Sequence, residues 1–333
     1  MSGGRVSSFL VAAVSAAVLA FPAAAGQPAD GPTGGGPVAI FYYPWFSTPT
    51  RDGRWAHWYV DKDGAPVLST AYFPSRGLYS SSNAKIVAAQ MREIALAGVD
   101  TVVVSWWGFG SPEDDRLALV TQAAVRQGLA VAIHVEPYRS RTPAKAAADI
   151  SRLHEEEGVA DFYVYDADRD PAVDWAEALD PLEGVRVFAH TTLVGRARAS
   201  GFDGVYTYDI VARSGALFRR LCTEAHAVGL LCAPSVGPGY DARLATRHEV
   251  VRERLGGATY DRMWKTALRS DADVVTVTSY NEWQEGTQIE PARAQVGRPS
   301  YDGAWGRSGA SAQRAYLAAT AGWAARMHAR QPQ

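Results

Sequence analysis

Short apolar runs rich in β-branched residues alternate with longer stretches of helical period from Pro37 onward. The apolar runs predict eight strands: Val38–Tyr43, Thr101–Ser105, Ala130–Val135, Asp161–Tyr165, Val185–His190, Gly204–Tyr206, Leu230–Pro234 and Val274–Thr278. The helical stretches predict Asn83–Ala97, Pro112–Gln127, Pro143–Glu157, Pro171–Leu179, Val194–Ala199, Ser214–Val228, Thr259–Ser270 and Ser311–Arg330. Repeated strand–helix units indicate an α/β fold, and the count predicts a single (β/α)8 barrel over residues 38–330.

Turn and cap residues support this division. Proline is tolerated in the first helical turn, and Ser, Thr or Asp before it can cap the helix; the pairs are Ser111–Pro112, Thr142–Pro143 and Asp170–Pro171. An open nucleotide-binding sheet is the alternative, but no G-x-G-x-x-G pattern follows the first strand. A second domain is therefore not required by the length of 333 residues.

The N-terminus has the pattern of a secretory signal peptide, Met1–Ala25. Arg5 precedes an apolar stretch, and the small residues Ala23, Ala24 and Ala25 come before Gly26. We expect cleavage near Ala25 and secretion of the protein. Residues 26–37, rich in Gly and Pro, predict a flexible leader.

Composition excludes some classes of protein. Hydrophobic residues make up 47% of the chain and charged residues 20%, which excludes disorder for most of it. The net charge of −2 gives no electrostatic reason to expect a nucleic-acid or anionic-membrane partner. After the signal segment no apolar stretch is long enough to span a bilayer, so we expect no membrane insertion, and we expect a monomer.

Metal and redox chemistry have weak support in the sequence. Cys222 and Cys232 could form a disulfide in an exported protein, or could be two buried thiols. Residues 166–177 partly match a calcium loop, but Pro171 stands where that loop needs Gly, and capping by Asp170 explains the pattern more simply. His57, His134 and His190 could form a metal site but lack paired ligand spacing. We therefore expect no metal and no cofactor.

Aromatic side chains are concentrated where the predicted strands end. The chain has 10 Trp and 15 Tyr. Barrel enzymes have their active sites at the C-terminal ends of the strands, and flat aromatic faces with polar edges suit a sugar ring. This placement predicts a carbohydrate cleft with candidate ligand contacts at His57, Trp58, Trp107, Tyr138, Tyr165, Asn281 and Trp283.

Glu282 and Glu285 follow the last predicted strand and are the candidate catalytic pair. Cleavage of an acetal needs a carboxylic acid at the leaving oxygen and a second carboxylate at the sugar. A spacing of three residues lets both face one pocket where the chain turns. An arbitrary Glu-x-x-Glu is usually a solvated pair at a helix start, but the position after the eighth strand favours function. Ser235 lacks the G-x-S-x-G context of a serine hydrolase.

The sequence resembles glycoside hydrolase family 99, the endo-α-mannosidase and endo-α-mannanase family. The matching stretches are FYYPWF (41–46), HW (57–58), GVDTVVVSWWG (98–108), HVEPY (134–138), FYVYD (162–166), GFDGVYTY (201–208), PSVGPGYD (234–241) and TSYNEWQEGTQIEPA (278–292). The last of these is the most specific.

The resemblance implies a (β/α)8 barrel that cleaves α-mannosidic linkages within a glycan, with retention of configuration. It implies that Glu282 acts as base on the substrate 2-hydroxyl, giving a 1,2-anhydro-sugar intermediate, and that Glu285 is the general acid and later the base that activates water. It also implies that the subsites are lined by Tyr42, Tyr43, Trp106, Glu136, Tyr206, Tyr208 and Tyr240. The expected partner is an α-mannan or a mannose-containing glycan.

Two departures from the family pattern leave the substrate open. Gln284 stands where the family usually has His, and residues 241–257 replace an Arg-Pro-Trp-Asn and Asn-Thr-x-x-Arg stretch. One alternative is the same chemistry on another polysaccharide, such as an α-glucan cleaved by the related family 71. Another is a glycan-binding barrel that has lost catalysis.

Overall fold

The computed structural model describes residue 1 and residues 36–212, 214–246 and 249–330. The chain divides into an N-terminal unit, Met1–Gly31, and a second unit, Pro32–Gln333, to which the fold belongs. The predicted signal segment, Met1 excepted, and the predicted leader as far as residue 35 lie outside the described residues. No helix within the described ranges is long and apolar enough to cross a membrane.

Eight parallel strands close into a barrel within the described residues. They are β1 (Val38–Tyr42), β2 (Thr101–Trp106), β3 (Ala130–Val135), β4 (Asp161–Val164), β5 (Arg186–His190), β6 (Gly204–Tyr206), β7 (Leu231–Ala233 continued by Ser235–Val236) and β8 (Val275–Val277). The two halves of β7 close the sheet, because Leu231–Ala233 pairs with β6 and Ser235–Val236 pairs with β8. The predicted (β/α)8 barrel is confirmed.

A helix follows each strand. The helices are α1 (Ala84–Leu96), α2 (Asp114–Val125), α3 (Pro143–Glu157), α4 (Ala172–Leu179), α5 (Val194–Ala199), α6 (Phe218–Ala227), α7 (Ala258–Leu268) and α8 (Ala315–His328). The largest difference from the predicted bounds is at α6, which begins four residues later than Ser214. The predicted last helix is divided at Arg314 into the short helix Gly309–Gln313 and α8.

Two of the three predicted helix caps make a side-chain hydrogen bond to a backbone N–H, and the third does not. The Thr142 hydroxyl accepts the Lys145 N–H at the start of α3, and the Ser111 hydroxyl accepts the Asp114 N–H. The expectation for Asp170 is wrong, because α4 begins at Ala172 after Pro171 and no side chain caps it. The Asp170 carboxylate instead lies 3.4 Å from Arg169 Nη2.

Alternation along the strands separates two cores. In β1, Val38, Ile40 and Tyr42 belong to the layer between the strands and the helices. Ala39, Phe41 and Tyr43 belong to a second cluster with Tyr163, Phe188, Tyr206 and Tyr208 from other strands, and this cluster fills the barrel. Successive residues of a strand point to opposite faces, so one residue of offset decides whether a side chain faces the barrel axis or the helices.

Close packing inside the barrel requires a glycine in β6. A Cβ at Gly204 would lie 2.5 Å from a ring carbon of Phe188, so any other residue would displace that ring. On the outer side, Cys222 of α6 and Cys232 of β7 form a disulfide. This resolves the open question of whether the two cysteines pair.

Shorter strands extend from the C-terminal end of the barrel. Tyr59–Lys62 and Ala65–Leu68 form a hairpin in the loop after β1. Tyr240–Asp241 pairs with Val251–Arg252 after β7, and Phe73–Pro74 pairs with Ala292–Arg293. The loops after β1, β7 and β8 are therefore built into one surface around the barrel mouth.

Candidate active site

The segment that follows β8 carries the two candidate carboxylates. The Glu282 N–H donates to the Ser279 hydroxyl at 2.8 Å. Oε1 of Glu282 accepts the N–H groups of Gln284 at 3.0 Å and Glu285 at 3.4 Å, so the chain turns around this carboxylate. The Glu285 carbonyl accepts the Asp241 N–H at 2.7 Å, which joins the turn to the loop after β7. Both glutamates are held by backbone contacts on a tight turn.

Burial and like charge act on the protonation of this pair. Glu282 is 2% exposed, and burial together with the nearby Glu285 charge raises its pKa well above the usual range of a carboxyl. Burial, with the charges of Asp209 and Glu136, raises the pKa of Glu285 to about 8. Two carboxylates in one desolvated site cannot both ionise without a large cost. At neutral pH the pair therefore retains a proton.

Tyr43, Tyr165 and Tyr208 lie within the electrostatic range of the pair, and Tyr206 lies within that of Glu136. The hydroxyls of Tyr43 and Tyr208 are hydrogen-bonded to each other. The charges of Glu282 and Glu285, after burial, raise the pKa values of both phenols, so both lie within the electrostatic range of the carboxylates. Tyr165 and Tyr206 join the same inward cluster. These side chains form an aromatic wall, and their phenol hydroxyls remain protonated at neutral pH.

Glu136, at the end of β3, is a third buried carboxylate in the barrel. Its Oε1 accepts the Ser105 hydroxyl at 2.7 Å and lies 3.0 Å from His134 Nδ1. His134 Nε2 is 2.8 Å from the Tyr206 hydroxyl. Ser105, His134 and Tyr206 come from three strands, so the barrel interior itself fixes the position of Glu136.

Asp209, after β6, joins the site to a neighbouring cavity of about 330 Å³. Its carboxylate lies 3.3 Å from His190 Nε2 and accepts the Tyr165 hydroxyl at 3.4 Å. The His190 and Tyr165 rings are stacked 4.5 Å apart. The cavity is lined by Asp166, Asp168, His190, Thr191, Thr192, Leu193, Tyr206, Thr207 and Asp209. This cavity therefore lies beside Tyr165, and its lining is rich in hydrogen-bonding groups.

Gln284 contacts the loop after β1. Its Oε1 is 3.4 Å from His57 Nδ1, and its Nε2 donates to the Ser69 hydroxyl at 3.1 Å. The His57 ring is stacked on Trp45 with 4.3 Å between centroids. Burial lowers the pKa of His57 to about 4, so the ring is neutral at neutral pH. The residue that departs from the family pattern thus orients a half-buried aromatic pair.

Seven of the fourteen expected contact residues lie around the carboxylates at this end of the barrel, and their contact with a ligand stays a prediction: His57, Tyr43, Glu136, Tyr165, Tyr206, Tyr208 and Tyr240. Tyr240 is half-buried, and burial with the charges of Glu285 and Asp209 raises its pKa to about 12. The amide oxygen of Asn281 accepts the Tyr43 N–H at 2.8 Å, and its NH2 group donates to the Tyr43 carbonyl at 2.9 Å. Asn281 therefore joins Tyr43 of the aromatic wall to the turn that carries Glu282. Trp107, the remaining residue of the expected set on this side, lies half-buried after β2.

The other five side chains pack elsewhere, which corrects the expectation that they line the cleft. Each is buried and its polar atom is bonded away from the mouth. The partners are Gln90 for Tyr42, the Tyr79 carbonyl for Trp58, Asp114 for Trp106, Asp149 for Tyr138 and Glu290 for Trp283. Tyr42 and Trp106 have the outward parity of their strands, and this alternation was the signal that could have excluded them.

Ser105, His134 and Asp209 are site residues that the predicted contact set leaves out. Ser105 and His134 lie at inward positions of β2 and β3, two residues after Val103 and Ala132 of the inner cluster. The alternation of inward and outward positions could therefore have found them. Asp209 follows β6 in a loop, and no periodic signal marks it.

The three histidines considered for a metal site have separate partners. His57 contacts Trp45 and Gln284, while His134 and His190 contact different carboxylates. Within the described part of the chain no group of three His, Cys, Asp or Glu side chains is arranged to hold a metal. In the calcium-like stretch, Asp168 lies 3.1 Å from Arg196 Nε and accepts the Thr191 hydroxyl at 2.6 Å.

Comparison with known proteins gives consistent results. The model of glycosyl hydrolase family 99 matches residues 36–329. A Danio rerio protein named glycoprotein endo-alpha-1,2-mannosidase-like protein is 29% identical over 318 aligned residues, covering 77% of this chain and 71% of the relative. Xenopus laevis glycoprotein endo-alpha-1,2-mannosidase is 28% identical, covering 76% and 69%. The solved GH99 endo-alpha-mannosidase of Bacteroides thetaiotaomicron superposes with a TM-score of 0.78 at 26% identity, covering 87% of this chain and 97% of that one.

Proposed function

The chain belongs to glycosyl hydrolase family 99, and from this membership we propose that it cleaves α-mannosidic linkages within a glycan chain. It is a glycoside hydrolase. The observation that carries the proposal is the carboxylate pair of buried Glu282 and half-buried Glu285, which share a turn at the C-terminal end of the barrel. Active sites of this fold lie at that end.

The two carboxyls have different surroundings. Burial and the Glu285 charge raise the pKa of Glu282, while the two backbone N–H groups that it accepts favour its charged form. Glu285 lies among the charges of Asp209 and Glu136, which favour its neutral form. Following the roles that the family resemblance implies, we assign Glu285 as the acid that protonates the leaving oxygen, and Glu282 as the base.

The proposed reaction proceeds with retention through a 1,2-anhydro sugar. Glu282 removes the proton from the substrate 2-hydroxyl while that oxygen attacks the anomeric carbon, and Glu285 donates its proton to the departing glycosidic oxygen. Glu285, now ionised, removes a proton from water, which opens the three-membered ring at the anomeric carbon. The 2-oxygen recovers its proton from Glu282, so both carboxyls return to their starting states.

The aromatic and polar walls supply the sugar subsites in this proposal. Tyr43, Tyr208 and Tyr206 lie beside the carboxylates, and their phenols can donate to or accept from sugar hydroxyls. Tyr240 and Tyr165 extend the wall on either side, and Trp107 and His57 border it. These side chains offer aromatic faces and hydrogen-bonding groups to the sugars on which the proposed enzyme acts.

Secretion is part of the same proposal. It is supported by the signal-like segment Met1–Ala25 and by the Cys222–Cys232 disulfide, since disulfides persist in oxidising compartments.

The role of Glu285 is tested by Glu285→Gln. The amide keeps the shape of the acid but has no proton to donate, so turnover on yeast-type mannan and on a glucosylated mannose oligosaccharide should fall by about 10²–10⁴-fold. Binding of the same glycans should persist. Chromatography of products measures turnover, and calorimetry measures binding.

The matched control is Glu177→Gln, the same change at an exposed position on α4, which should cleave like the wild type. Undiminished cleavage by Glu285→Gln would contradict the assignment. Wild-type cleavage of α-glucan but not α-mannan would reject the proposed substrate, and binding without any product would indicate a non-catalytic barrel.

A further inference from the structure

Glu290 is a fully buried carboxylate at the end of the segment that carries the catalytic pair. One oxygen accepts the Tyr79 hydroxyl at 2.8 Å and the Trp283 indole N–H at 2.8 Å. The other accepts the Gln90 amide at 2.9 Å and lies 2.8 Å from Arg76 Nε. Four donors from three separate parts of the chain therefore converge on one side chain that does not reach the mouth.

Two of these bonds lead to the residues that flank Glu282. Trp283 is its neighbour on one side and is held directly by Glu290. Asn281 is its neighbour on the other side, and its amide donates to the Tyr79 hydroxyl at 3.3 Å. The Asn281 amide also bonds the backbone of Tyr43. Through Trp283 and Tyr79, Glu290 thus contacts both sides of the candidate base.

The charge on Glu290 is compensated but costly. Arg76 bridges it to Glu93, whose carboxylate lies 2.6 Å from Arg76 Nη2 and accepts the Tyr280 hydroxyl at 2.7 Å. Apolar side chains of similar volume often stabilise a fold as well as a buried ion pair does, so such a pair is weak evidence for stability alone. Here the bonds connect the turn to α1 and to the loop after β1, and they fix orientation.

We propose that Glu290 is a positioning residue, which holds Trp283 and Asn281 so that Glu282 and Glu285 keep their mutual geometry. The inference rests on the proposed function for its effect on catalysis. It involves no contact between Glu290 and substrate. Small displacements of catalytic groups have large effects on the chemical step, so the expected consequence is on turnover.

The main test is Glu290→Gln. The amide fills the same space, but its NH2 group must face donors: either Gln90 and Arg76, or Tyr79 and Trp283. We expect kcat on α-mannan to fall at least tenfold, while KM changes less than threefold. We also expect faster hydrogen exchange in residues 279–288, measured by mass spectrometry without substrate.

The matched control is Asp261→Asn on α7. Asp261 is also a carboxylate that accepts indole N–H groups, those of Trp305 and Trp323 at 3.0 Å, but these lie in the outer layer. This variant should keep the wild-type kcat and the wild-type exchange in residues 279–288. A second variant, Tyr79→Phe, removes only the path to Asn281 and should show a smaller loss of kcat with the same local exchange pattern. It decides the matter if Glu290→Gln does not fold.

The proposal is overturned if kcat in Glu290→Gln stays within twofold of the wild type. It is also overturned if exchange rises equally throughout the barrel, because that pattern indicates a general loss of stability. If the wild type cleaves no α-mannoside, the proposed function fails. The exchange of residues 279–288 would then still show whether Glu290 holds the turn.

Discussion

At the residue scale, protonation of Glu285 governs the proposed chemistry. A usual glutamate is ionised at neutral pH and cannot serve as an acid, whereas burial and the charges of Asp209 and Glu136 raise the pKa of Glu285 to about 8. The proton is present below that pH and is lost as pH rises through it. Asp209 is thus an electrostatic partner of the acid although it belongs to another strand end.

Asp209→Asn should move the alkaline limb of the pH–rate profile to lower pH. Removing the Asp209 charge removes the first charge that raises the pKa of Glu285, so the acid loses its proton at a lower pH. The measurement is kcat/KM from about pH 5 to about pH 10, because its pH dependence reports the pKa of the acid in the free enzyme.

Asp166→Asn is the control for this shift. Asp166 lines the same 330 Å³ cavity but is not among the charges that act on Glu285. An alkaline limb that moves equally in both variants, or in neither, would contradict the role given to Asp209.

At the element scale, the two-residue repeat of the strands separates site from scaffold. At the end of β1, Tyr43 faces the barrel and Tyr42 faces α1, although the two are adjacent and chemically identical. In β2, Ser105 contacts Glu136 while Trp106 packs beside α2. Site residues therefore come from alternate positions, and their neighbours support the helices.

The disulfide between α6 and β7 should stabilise the fold without affecting catalysis. Cys222 and Cys232 are fully buried in the layer between strands and helices. Their separation is 10 residues, and closing a loop of that length restricts the unfolded chain by about 2–3 kcal/mol. Cys222→Ala with Cys232→Ala should lower the free energy of unfolding by about that amount, measured by denaturant titration.

The activity of this double variant at low temperature should equal that of the wild type, and wild-type protein treated with a reductant should have the same midpoint as the variant. A large loss of kcat with native stability would show that the bridge affects the site.

At the scale of the whole molecule, the barrel joins segments far apart in sequence. β1 lies between β2 and β8, so Val38 pairs with Val275 and the loop after β1 meets the turn after β8. Glu282, Glu136, Asp209 and Tyr43 therefore share one mouth although more than 230 residues separate the ends of the set.

Export of the chain should be visible at its N-terminus. If Met1–Ala25 is a signal peptide, protein recovered from the medium of a secreting host begins at Gly26, as intact mass and N-terminal sequencing would show. Replacing Ala23 and Ala25 with bulky charged residues should prevent this cleavage, since the processing enzyme requires small residues there. Protein from the medium that still begins at Met1 would contradict the prediction.

Local patterns in the sequence were enough to predict the barrel fold and the two catalytic candidates. Strand and helix periods are local properties, so eight units could be counted, and the segment 278–292 marked Glu282 and Glu285. The sequence also shows that Tyr42 and Tyr43, as neighbours in a strand, must point to opposite faces. Which of the two faces the barrel interior follows only when one inward-facing residue is known.

Which distant groups act on one another depends on how the chain folds. The pKa of Glu285 is raised by burial and by the charges of Asp209 and Glu136, and the proposed support of Glu282 depends on Glu290, Tyr79 and Arg76. Electrostatic and hydrogen-bond energies depend on distance in space and on burial, which spacing along the chain does not specify. The disulfide was open for the same reason, because pairing requires two β-carbons to meet.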